Sequence, residues 1–173
     1  MEVAQVKALL LRLCFGRHPP DPQSLKINID GAFTPASFEG SVASITRDHY
    51  GRIVDGFTSR VNASLALQTE TQALNLTLRN LLQKGQATQP LTLESDCQIL
   101  VDAVNNLCST PWEIRALLNE VATLIPAIPN LRITYCRREA NEAANWTARA
   151  HNSESLPPSW PTTIPPLFGY FMY

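Results

Sequence analysis

The chain is poor in cysteine, and its four residues of that type, Cys14, Cys97, Cys108 and Cys136, are scattered, with no C-x-x-C pair and no histidine at zinc-ligand spacing. Neither a zinc finger nor a disulfide framework is signalled, and a reducing compartment is the simpler reading. Excess charge of either sign is missing too: Lys and Arg total 14 against 15 Asp and Glu, for a formal net charge of -1. With no global field, a polyanion such as nucleic acid has to be gripped locally or through metal ions. No apolar run approaches the roughly 18 to 20 residues of a membrane span. The N-terminal "VKALLLRLCF" is interrupted by Lys7 and Arg12, which spoils a secretory leader. The expected setting is therefore intracellular, cytoplasmic or nuclear, away from membranes, and the sequons at Asn62, Asn75 and Asn145 read as chance matches.

What is present is globular. Hydrophobic residues make up 45% and charged residues 17% of 173, enough for one domain with a proper core and short extensions at its ends. Residues 1 to 24 read as a short basic-apolar helix followed by a proline-broken linker, "RHPPDPQS". From Ser153 onward the proline-rich "SESLPPSWPTTIPPLFGYFMY" reads as extended chain laid over the surface or left loose. The domain is thus expected over residues 25 to 152, with a tail at 153 to 173.

Inside those limits the period of the apolar residues changes in a readable order. Residues 25 to 33, about 41 to 47 and about 52 to 60 have strand character, and "RDHYGR" marks a hairpin between the second and third. From Leu65 to about Lys84 the period is helical, with Leu67, Leu74, Leu78 and Leu81 on one stripe and Gly85 as the stop. "LTLES" is a strand running straight into a helix from about Asp96 to Leu107. Thr110, Pro111 and Glu113 offer an N-cap, an N1 proline and a capping-box acid to the next helix, which Pro126 ends. "LRITYC" and residues 140 to 151 supply a last strand and helix. The order βββαβααβα implies an α/β fold with a mixed sheet and helices on its faces.

Three carboxylates sit awkwardly in this layout. In "KINIDGAF", Ile27, Ile29 and Phe33 share one strand face while Lys26, Asn28 and Asp30 share the other, an odd polar face for a strand inside a sheet. An edge strand or a turn at Gly31 would explain Asp30 equally well. Glu70 lies on the stripe its helix should bury, unless a frayed first turn points it to water. Asp96 closes a strand where a helix begins, and Ser95 with Gln98 already fits a capping box there. Taken together, a sheet-centre acid, a helix acid and a strand-end acid can converge, and packed carboxylates resist ionisation unless a cation sits among them. Hard divalent ions, magnesium above all, suit oxygen ligands of this kind.

Five segments in this order resemble a known family. "NIDGAF", "TETQAL", "ESDCQILVDAV" and "REANEAANWTARA" are similar to the acid-bearing segments of ribonuclease H domains, and "TPWEIRALL" is similar to a segment of the plant reverse-transcriptase-like branch. The resemblance spans about residues 25 to 151. It implies a ribonuclease H-like three-layer fold with a mixed five-stranded sheet, and two-metal endonucleolytic hydrolysis of the RNA strand of an RNA/DNA hybrid, using Mg2+ or Mn2+. It further implies Asp30, Glu70 and Asp96 as catalytic metal ligands and Asn145 at the fourth catalytic position. Gly31, Gln98, Arg137 and Arg138 are implied as substrate-binding, Arg132 is a further candidate for phosphate contact, and the expected partner is RNA/DNA hybrid or RNA, engaged by a monomer.

Two departures bear on activity. Where the family offers a fourth acid the chain has Asn145, whose amide brings no negative charge and cannot accept a proton as a carboxylate does, so weaker metal binding and slower turnover are expected. The histidine that bacterial relatives carry before the last helix has no counterpart in "TYCRREAN", and His49 and His151 read as surface residues. The rival expectation is a catalytically inactive nucleic-acid-binding domain derived from a retroelement.

Overall fold

A computed structural model describes residues 20–162. The elements are β1 (Leu25–Thr34), β2 (Glu39–Arg47), β3 (Ile53–Asn62), α1 (Ala66–Gln83), β4 (Leu91–Ser95), α2 (Gln98–Val104), α3 (Arg115–Leu124), β5 (Leu131–Tyr135) and α4 (Glu142–Asn152). They form one mixed sheet of order β3-β2-β1-β4-β5, antiparallel through the meander and parallel across β1, β4 and β5. The expected order of strands and helices is met. Because β1 is central, the edge-strand reading of its polar face falls away.

Local chemistry accounts for the joints. At "RDHYGR" the Asp48 carboxylate accepts from the backbone N–H groups of Tyr50 and Arg52 and from Arg52 Nε, and Gly51 takes the left-handed conformation at φ 76°. Helix α1 stops where Gly85 adopts φ 67° and Gln86 N–H reaches back to the Leu81 carbonyl, 3.0 Å away. Helix α2 ends short of the expected Leu107, because Asn106 turns left-handed at φ 58° and the Asn105 amide caps the Ile133 carbonyl instead. The capping box read from Thr110 and Glu113 does not form. The chain enters α3 through a 3-10 turn at Trp112–Ile114, anchored by the fully buried Ile114, and no side chain caps it.

The sheet separates two apolar layers. On one side Ile27, Ile29, Val42 and Leu93 meet Leu74, Leu78 and Leu81 of α1, with Leu118 and Val121 of α3 in the same core. On the other side α4 lays Ala143 and Ala144 on Ile45, and Trp146, Ile53 and Trp160 close the edge. The helix expected near the N-terminus lies outside the described residues, as does the tail beyond residue 162.

The first part of the tail is docked. A Cβ on Gly56 would stand 2.9 Å from the Trp160 ring, so the bare glycine makes room for it. Trp160→Ala is expected to lower stability by about 1–3 kcal/mol, below the range for a fully buried tryptophan because this one is only half-buried. Urea unfolding at fixed pH measures it.

Candidate functional site

Each acid is held by a different element. Asp30 sits on β1, 5% exposed, with the backbone of Ala43 opposite it on β2. Glu70 comes from the N-terminal part of α1, which lies very close to the sheet at two glycines. A Cβ on Gly31 would meet the Thr69 carbonyl carbon at 2.8 Å and the Glu70 nitrogen at 2.9 Å, and one on Gly40 would meet Thr69 Cγ2 at 3.0 Å. Asp96 follows β4, where Ser95 Oγ accepts from the Cys97 N–H and so turns the chain into α2. Asn141, just ahead of α4, donates to the Ile29 carbonyl at 2.8 Å and to Asp96 Oδ1 at 3.0 Å, tying the last helix to both strands.

The three carboxylates converge. One oxygen from each of Asp30, Glu70 and Asp96 lies within 4.8 Å of the others. Burial pushes the Glu70 carboxyl well above its usual range, the charges of Asp30 and Asp96 add to the rise, and the Gly31 N–H opposes it. Asp30 is pushed up to about 8, first by burial and then by the charge and hydrogen bond of Asp96, with Arg138 and Arg149 pulling the other way. Among the described residues, Glu70 Oε2 is buried without a hydrogen-bond partner. An unpaired buried oxygen beside two more carboxylates is a donor set that fits a hard divalent cation, which would satisfy it and relieve the repulsion.

The packing that brings Glu70 to Asp30 is testable through Gly31. Gly31→Ala forces α1 off the sheet, and a loss of about 1–3 kcal/mol is expected in urea unfolding, as for other overpacked sites.

These acids line a cleft of about 520 Å³ whose walls include Gly31, Cys97, Ile99, Arg138, Asn145 and Arg149. Asn145 lines this same cleft and also a neighbouring groove. Gln98 is exposed at the start of α2 and its amide donates to Asp102 Oδ1 at 2.6 Å. Arg137 is exposed and is not among the cleft-lining residues. Arg132 stands at the far end of β5, in a separate groove with Asp21, Ser24 and Lys26, so it does not approach the acids. His151 is half-buried against Thr58 Oγ1 at 3.1 Å rather than a free surface group, and burial lowers its pKa. Burial likewise raises the Cys97 thiol to about 11, so it stays protonated at neutral pH.

Lys26, the one cation expected on the polar face, pairs with Glu94 at 2.8 Å instead of the acids. Asn28 joins that group, donating to Glu94 Oε2 and accepting from the buried Arg47. Arg149 and Asn141 carry weight that the sequence reading did not give them. A signal for Arg149 existed, since it follows Asn145 by one helical turn.

The profile of a family described as reverse transcriptase-like matches residues 28–151. No curated protein matches the chain. Among solved structures, ribonuclease H1 of the archaeon Halobacterium salinarum is similar at TM-score 0.68 and 19% identity, over 76% of this chain and 98% of that one. LC11 ribonuclease H1, isolated from compost by a metagenomic approach and solved with an RNA/DNA hybrid, is similar at TM-score 0.68 and 16% identity, over 77% and 99%. The N-terminal ribonuclease H domain of rv2228c from Mycobacterium tuberculosis gives 0.67 and 11% over 76% and 95%.

Proposed function

The chain belongs to the reverse transcriptase-like family and has the ribonuclease H-like fold, and from that premise we propose that it is an endonuclease cutting the RNA strand of an RNA/DNA hybrid. The observation that carries the reading is the convergence of Asp30, Glu70 and Asp96 around one unpaired buried oxygen. The solved relative bound to a hybrid supports the substrate class. Asp30, Glu70 and Asp96 would hold Mg2+ or Mn2+, and ions bound there would supply an activated water and stabilise the departing 3′ oxygen.

The chain's own residues do the rest. Gly31 lets α1 approach so that Glu70 reaches the acids, and its backbone on the cleft lining would lie against a ribose-phosphate strand whose 2′-hydroxyls distinguish RNA from DNA. Gln98 on the exposed start of α2 and Arg138 at the cleft wall would contact that strand. Asn145 presents an amide where a carboxylate would add charge and take a proton, so turnover is reduced.

Asn145 also favours a second reading, a domain that binds nucleic acid without cutting it. Incubating the full chain with an RNA/DNA hybrid and Mg2+ or Mn2+ separates the two. Cleavage that disappears in EDTA supports the nuclease; binding with no cleavage under either metal supports the binding domain.

A further inference from the structure

The segment "TPWEIRALL" takes no part in the acid site. Its Trp112 is 77% exposed, the most of any large apolar side chain among the described residues, and its ring stacks on none of them. Arg115 follows three positions later at the start of α3. It is exposed as well, and its guanidinium makes no hydrogen bond or ion pair with a described side chain. With Ile114, Leu118 and Val121 buried, the turn and the helix leave Trp112 and Arg115 together on the outward face.

This turn is fastened to the helix that carries Glu70. The Gln68 side-chain amide donates to the Glu113 carbonyl at 3.1 Å, and its oxygen accepts from the Ser64 N–H at 2.7 Å. Gln68 and Glu70 are two residues apart, hence about 200° apart around α1. The start of α1 therefore stands between the two places, with Ala66, Leu67 and Glu70 lining the acid cleft and Gln68 holding the turn of Trp112 on its other side. A helix is about 10–12 Å across with its side chains. A strand lying on the acids is thus a helix width from Trp112, and what runs alongside it at such a distance is the partner strand of a duplex, across the wide and shallow minor groove of A-like geometry.

Resting on the nuclease reading, we propose that Trp112 and Arg115 seat the uncut strand of the hybrid, Trp112 stacking on one of its nucleotides and Arg115 holding one of its phosphates. The two side chains supply complementary halves of that contact. An aromatic plane in water accepts any base by its face, and a free guanidinium beside it meets a phosphodiester through paired N–H donors. The seat also sets specificity. A paired substrate reaches the acids and Trp112 at once, whereas a single RNA strand reaches only the acids, so these residues favour duplex over single strand without touching the reacting atoms.

The test compares a fluorescein-labelled RNA/DNA hybrid with the same RNA as a single strand, using the full chain as wild type, Trp112→Ala, Trp112→Phe and Arg115→Ala. Affinity is read by anisotropy in EDTA over a salt series, and as KM in Mg2+ where the protein cuts. Trp112→Ala is expected to weaken hybrid binding about fivefold or more with the salt slope unchanged, and Trp112→Phe to recover most of the loss. Arg115→Ala is expected to weaken it too, and to reduce the salt slope by about 1. In Mg2+ both losses fall on KM rather than kcat. Single-stranded RNA is expected to bind all four proteins alike, and all four are expected to melt alike. Wild-type hybrid affinity in either alanine variant, or an equal loss with single-stranded RNA, would overturn the seat. If wild type still cuts the hybrid in that case, the nuclease reading stands and only the seat falls. Weakened hybrid binding in the variants of a chain that never cuts keeps the seat and removes the nuclease; a wild type that neither binds nor cuts removes both.

Discussion

Asp30→Asn is expected to lower hybrid cleavage by well over a hundredfold and, in the same protein, to raise the melting temperature in EDTA. The first effect follows from the proposal that Asp30 is a direct cation ligand, since disturbing even the outer partners of a metal site costs about 10- to 100-fold. The second follows from burial. Asp30 is pushed up to about 8 in the folded chain from an ordinary value of 3.8. Between those values the folded state holds a proton that the unfolded state has released, so wild-type stability falls as pH rises, by at most about 1.4 kcal/mol per pH unit. The asparagine carries no such penalty. Its stability gain over wild type is therefore expected to be near zero at pH 4 and to grow toward pH 8, which paired thermal melts in EDTA read directly. A variant less stable than wild type at pH 8 would show that the carboxylates are not in conflict.

Asn145→Asp is expected to act in the opposite sense. Its side chain lines the cleft, and no hydrogen bond to a described residue holds it. On the proposed reading, a carboxylate at that place would add negative charge toward the bound cations and a proton acceptor beside the scissile bond. Cation affinity and cleavage rate are each expected to rise about tenfold or more, the equivalent of roughly 1.4 kcal/mol of added binding. Without metal the same change adds a fourth acid to a crowded site, so the melting temperature in EDTA falls. Calorimetric titration and initial-rate measurements check the gain; unchanged affinity and rate would mean that position 145 does not face the ions.

Asp30 and Glu70 could be read from sequence because each breaks a local rule, whereas Asp96, at an ordinary helix start, gains weight only beside them. Asp30 puts a carboxylate on a central strand directly after Ile29, and Glu70 falls on an otherwise apolar stripe. Both anomalies survive folding as buried or half-buried carboxyls. Arg138 was named from sequence, but the pairing of Lys26 and Arg47 and the place of Arg149 were not legible, because they depend on contacts far apart in the chain. Arg47 enters the polar face only through the register Lys26↔Arg47, and Lys26 is withdrawn by Glu94 from the next strand. Arg149 reaches the cleft only once α4 is laid across the sheet, an arrangement that the alanines of that helix permit but do not specify. The capping box is absent for a related reason: the chain enters the helix through a 3-10 turn that buries Ile114, with Pro111 in place of Thr110 at the cap. Local chemistry proposed a helix start, and core packing chose another.

The centre of this reading is that Asp30, Glu70 and Asp96 together bind a divalent cation, and calorimetric titration of the full chain with Mn2+ at neutral pH measures that without any nucleic acid. Saturable binding that releases protons from the acids, and that is lost in Asp30→Asn, is the expected result. Heats that never saturate, or a binding curve identical in Asp30→Asn, would contradict it.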